Sequence, residues 1–101
     1  LKPVRVIEAA RADIRAQQRF YDREQPGLGE RFGRAVATTL LKIADQPEAM
    51  QAMNHEIRRW PVKGFPHGVM YWVGESEVVV ISVFHPKRDP TVWASRVQDG
   101  I

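Results

Sequence analysis

The chain has 101 residues, no cysteine, 44% hydrophobic and 27% charged residues, and a formal net charge of +3. That balance excludes wholesale disorder, a disulfide scaffold and a thiolate metal site, and no apolar run approaches the roughly 20 residues that cross a bilayer. One domain over residues 1–101 is expected, in the cytoplasm and with no membrane contact, because Lys2, Arg5 and Glu8 break up any signal-peptide core.

Val4 to Ile7 is β-branched and predicts a short strand. Helical spacing follows over Ala9 to Glu24. Ile7, Ala10, Ile14 and Tyr21 form one apolar stripe, and Ala9, Ala12, Ala16 and Phe20 an adjacent one. Arg11, Asp13, Arg15, Arg19 and Arg23 fall on the opposite, polar face. Gln25-Pro26-Gly27 breaks the helix. Leu28, Phe32, Ala35, Val36, Leu40 and Ile43 then recur at three- and four-residue steps, predicting a second amphipathic helix that ends before Pro47. The short joint implies an antiparallel helical hairpin.

The period then changes. His55 to Trp60 and Gly68 to Val73 read as strands, and Gly74 to Glu77 as a polar turn. Val78 to Phe84 is apolar at both parities, which fits a central strand covered on both faces. His85 to Pro90 is a loop and Thr91 to Val97 a short turn or helix. The predicted fold is α+β: an N-terminal strand and a helical hairpin packed on a curved antiparallel sheet, in the order β-α-α-β-β-β.

Arg58 and Arg59 are adjacent, so they should point to opposite faces, with an ion pair expected for at least one. Tyr71 and Trp72 should split in the same way. His55, His67 and His85 lack the spacing of a metal motif, so no metal or other cofactor is expected.

Four stretches carry a resemblance: Ala12-Asp13-Ile14 with Phe20-Tyr21; Pro26 to Phe32; Ile57-Arg58-Arg59 with Phe65-Pro66 and Met70-Tyr71; and His85 to Pro90 with Trp93 and Arg96. In this order the chain resembles the RelE/ParE superfamily of type II toxin–antitoxin toxins. The resemblance implies a cognate antitoxin that lies over the toxin, a ParD-like ribbon-helix-helix protein in the ParE branch, through which alone the toxin would meet operator DNA. RelE-like members cut mRNA on the ribosome; ParE-like members poison DNA gyrase.

Gly68 stands three residues before Tyr71, where RelE-like members often carry Arg, and Trp93 stands nearest the position of a C-terminal Tyr. Glycine brings no charge and indole is no useful acid or base. These departures point to the ParE branch, a gyrase inhibitor with no catalytic set. Lys87, Arg88, Trp93 and Arg96 are then the expected target interface, since Arg and Trp are common hot spots. Phe20, Tyr21, Ala37 and Leu41 are the expected antitoxin-binding residues. An mRNA endonuclease would instead use His85 as acid or base and Arg88 on phosphate, and a non-toxic family member would only bind its antitoxin.

Overall fold

A computed structural model describes residues 1–98. The elements are β1 (Val4–Val6), α1 (Glu8–Glu24), α2 (Leu28–Asp45), β2 (Ile57–Pro61), β3 (Gly68–Val73), β4 (Val78–Phe84) and α3 (Thr91–Gln98). The strands form one sheet in the order β1-β4-β3-β2. β2, β3 and β4 are antiparallel as expected. β1 joins the outer edge of β4 in parallel, pairing Val4 with Val78 and Val6 with Val80.

The hairpin turns on Gly27, whose φ of 89° is the left-handed conformation that glycine adopts without strain. Beyond it the helices run close together. A Cβ on Gly29 would lie 2.4 Å from the Gln18 carbonyl oxygen. Asp22 accepts the Gly29 N–H at 2.8 Å, satisfying one of the free donors at the start of α2.

Every residue of β4 is buried, in keeping with its apolar run. Val78, Val80 and Val83 join Ala10, Phe32, Val36, Ile43 and Tyr71 in the core beneath the hairpin. Val79, Ile81 and Phe84 face the other way, against Ile57, Met70 and Trp93. Tyr71 and Trp72 split between these faces as expected, and the Tyr71 hydroxyl donates to the Pro47 carbonyl at 2.9 Å.

Two local features differ from the sequence expectation. The strand expected from His55 begins at Ile57, because Asn54–Glu56 is a 3-10 turn in which His55 and Glu56 take φ of 62° and 61°. Left-handed backbone cannot continue a strand. The ion pair expected at Arg58 or Arg59 is absent among the described residues: Arg58 donates to the Met50 carbonyl and Arg59 to the Pro66 carbonyl. Free backbone acceptors lie closer than any carboxylate.

β4 also carries a bulge. Tyr71 pairs with Val80 but Met70 pairs with Ser82, so Ile81 is the extra residue. The side-chain parity changes there, which is why Val80 and Val83 share a face. A bulge leaves ladder groups unpaired, and side chains from distant elements take them up. Asp13, on α1, accepts the Val83 N–H at 3.1 Å and the Ser82 hydroxyl at 3.0 Å. Arg96, on α3, donates to the Ile81 carbonyl at 2.8 Å and grips both Asp13 carboxylate oxygens at 2.8 and 3.1 Å. Asp13 therefore does not belong to a solvated polar face; its side chain is only 8% exposed.

Candidate functional site

Two surfaces stand out. The first is an open trough of about 400 Å³ along the hairpin, lined by Ile14 and Gln18 of α1 and by Gly33, Val36, Ala37 and Leu40 of α2, with Glu30 and Arg34 at its edge. At Gly33 the helices come close, since a Cβ there would fall 2.5 Å from Gln18 Nε2, while Ala37, one turn on, is exposed. Leu41, four residues beyond Ala37, is 72% exposed. Of the residues expected to meet an antitoxin, Ala37 lines this trough and Leu41 stands beside it on the same helix. Phe20 and Tyr21 are elsewhere. Phe20 is 46% exposed but lies two residues past Gln18, a step that turns it off the trough side of α1. Tyr21 packs inward on Phe32 and Phe65, with ring centroids 5.5 and 5.3 Å apart.

The second surface is the end of the sheet where β2 finishes, β3 starts and β4 gives way to its loop. Lys87 and Arg88 are exposed there, and a tight turn joins them to His85: Arg88 N–H donates to the His85 carbonyl, and Lys87 N–H donates to His85 Nδ1, both at 3.0 Å. The other two residues expected at a target interface are held inside. Trp93 is buried against Ile57, Met70, Val79 and Ile81, and Arg96 is engaged by Asp13. Their residue types suggest hot spots, but both serve to fasten α3 to the sheet.

Two further residues belong to this end, and residue type alone did not single them out. Arg59 folds across Gly68, where a Cβ would fall 2.3 Å from its Nε. The position lacking charge in the sequence is thus covered by a guanidinium from the neighbouring strand. His67 is 2% exposed, and neither ring nitrogen has a hydrogen-bond partner. Its ring meets Phe32 at 4.8 Å and His85 edge-on at 5.1 Å. His55, at the opposite end of β2, is not part of this cluster.

Burial, and then the positive charges of His85, Arg59 and Arg88, depress the His67 pKa from 6.5 to about 4. The unfolded chain therefore binds a proton near pH 6.5 that the folded chain refuses until about pH 4. Between these values stability falls as pH falls, by about 3 kcal/mol over the whole window from this residue. Urea midpoints measured from pH 7 to pH 4 should drop more steeply for the parent protein than for His67→Leu. Equal slopes would show that His67 titrates normally.

The profile described as "ParE toxin of type II toxin-antitoxin system, parDE" matches residues 4–90. Among solved structures, one titled "Chromosomal ParDE TA system from P. aeruginosa" superposes with a TM-score of 0.75 at 12% identity, covering 83% of this chain and 95% of the other. At that identity the likeness is one of fold. No curated protein is significantly similar in sequence.

Proposed function

The chain belongs to the ParE toxin family of type II toxin–antitoxin systems, and on that premise we propose that it inhibits DNA gyrase and is neutralised by a cognate ParD-like antitoxin. It acts by binding rather than by catalysis, in the cytoplasm where gyrase and its DNA are found. Operator DNA is reached only through the ribbon-helix-helix part of the antitoxin.

The observation that carries the antitoxin half is the apolar trough on the hairpin, continued on α2 by the exposed Leu41. A trough of this kind suits an amphipathic segment that inserts small apolar side chains. For the target, the support is the pair of positive charges, Lys87 and Arg88, on an exposed loop, with family membership behind it. Trp93 and Arg96 contribute by holding that loop's far end in place.

The test is a gyrase supercoiling and cleavage assay with purified toxin, with and without antitoxin. Inhibition that antitoxin reverses is the expected result. Ala37→Arg should keep the inhibition while weakening antitoxin affinity at least tenfold, since a long charged side chain would fill the trough. Gyrase left unaffected at high toxin excess would overturn the target.

A second reading has one observation in its favour: Arg59 brings a guanidinium to Gly68, which pairs with Phe84 at the start of the loop that carries His85 and Arg88. An mRNA endonuclease could use such groups. Primer extension on ribosomes from toxin-expressing cells separates the two readings, because only the nuclease leaves cleavage at the A site.

A further inference from the structure

Among the described residues, Phe20 is the one aromatic side chain that is largely open to solvent, and it belongs to neither core cluster. It also faces away from the trough, because two residues past Gln18 is about 200° round the helix. Its own side of α1 is shared with Asp13. Seven residues separate them, which is two turns with a drift of about 20°. Asp13 is bonded to Ser82 and Val83 at the end of β4 and has Arg88 at 3.9 Å. Ring contacts lead to the same loop: Phe20 meets Tyr21 at 5.8 Å, Tyr21 meets His67 at 6.1 Å, and His67 meets His85 at 5.1 Å. Phe20 therefore stands on the side of the molecule that carries Lys87 and Arg88.

The ring has cations around it. Arg23 is three residues on, a neighbour on the helix surface, and Arg19 precedes Arg23 by one turn. Both are exposed. The ion pairs among the described residues engage Arg5, Arg15, Arg34, Arg88 and Arg96, but neither Arg19 nor Arg23. A single exposed apolar residue is ordinary. An exposed ring fixed on a rigid helix, with unpaired guanidinium groups on one side and the Lys87–Arg88 loop on the other, has the make-up of an interface centre, where aromatic residues and Arg are enriched.

We propose that Phe20 anchors the surface by which the toxin grips its target, flanked by Arg23 and Arg88. The occupant is a protein surface with an apolar pocket for the ring and carboxylates at the pocket's border to meet the cations. A duplex backbone offers no such pocket, and Glu24, exposed and four residues past Phe20, would repel its phosphates. The proposal rests on the reading of the chain as a toxin with a protein target. It moves Phe20 from the antitoxin contacts expected from sequence to the target contacts, and it places the two surfaces on different sides of α1.

The test is Phe20→Ala, expressed without antitoxin and also purified. The parent should arrest growth and Phe20→Ala should lift the arrest. In the gyrase assay the variant should need about tenfold more toxin for the same inhibition, while its antitoxin affinity stays unchanged. Arg23→Glu should act in the same direction through charge, and it decides the matter if Phe20→Ala fails to fold by circular dichroism. An undiminished arrest by both folded variants overturns the proposal, as does a parent that arrests nothing. Loss of antitoxin binding by Phe20→Ala overturns it too, since Phe20 is then an antitoxin contact. Duplex binding by the toxin alone, lost in Arg23→Glu but kept in Phe20→Ala, makes the surface a nucleic-acid one and overturns it likewise. A parent that arrests growth but leaves gyrase untouched sinks the gyrase reading alone. The surface then stands if Phe20→Ala lifts the arrest and falls if the arrest comes with A-site cleavage.

Discussion

Asp13→Ala is expected to cost about 3–5 kcal/mol, because it strips the partner from a largely buried guanidinium. For a domain of this size that corresponds to a fall in Tm of roughly 20 °C. Asp13 makes four hydrogen bonds, to Ser82, Val83 and twice to Arg96, and so ties α1, β4 and α3 together at one point. Its loss leaves the Val83 N–H and the Ser82 hydroxyl unsatisfied as well. Arg96→Ala should cost less. The carboxylate it strands keeps the Ser82 hydroxyl and the Val83 N–H as donors, and Arg88, already 3.9 Å away, can close on it. The double variant should then be no worse than Asp13→Ala alone, a coupling that urea unfolding of the four proteins would measure. Additive losses would mean that the pair does not act as a unit.

Phe32→Ala should be about as damaging, at about 3–5 kcal/mol. Phe32 is fully buried, and its ring is the one that touches Tyr21, Phe65 and His67 together. Removing it opens a cavity at the joint between hairpin and sheet. That cavity borders a histidine with two unsatisfied nitrogens, so water entering it would have polar groups to bind. The His67 pKa, depressed chiefly by burial, should then rise from about 4 towards its ordinary value. Calorimetry gives the stability loss and NMR titration the pKa. An unchanged His67 would mean that the cavity collapses or stays dry.

The amphipathic helices and the hairpin strands were legible because each is written in a local period: three- and four-residue steps from Leu28 to Ile43, a two-sided apolar run from Val78 to Phe84. What escaped is non-local. The bulge at Ile81 has no sequence mark of its own, so the role of Asp13 was hidden among the charges of α1. The parallel direction of β1 follows from where the hairpin returns the chain, not from any residue in Val4–Val6. Trp93 and Arg96 were read by type as surface groups, yet a short tail helix must be fastened by such large side chains. His67 was visible only as one of three scattered histidines, and nothing near it in sequence announces that His85 lies across the strands. Ala37 and Leu41 were legible only as apolar residues off the main helical stripe; the trough beside them was not.

The position of β4 also bears on how the protein comes to exist in a cell. This strand bonds to β1 on one side and β3 on the other, yet it is the last strand to leave the ribosome. At about 5–20 residues per second, synthesis separates β1 from its partner by several seconds at least. Until then the apolar faces of both helices have no sheet to cover. A nascent chain that stalls short of Phe84, or a message cut before that codon, yields a hairpin without its core. The sheet cannot close until Phe84 has been made, and the interval before that is time in which an antitoxin can already be waiting.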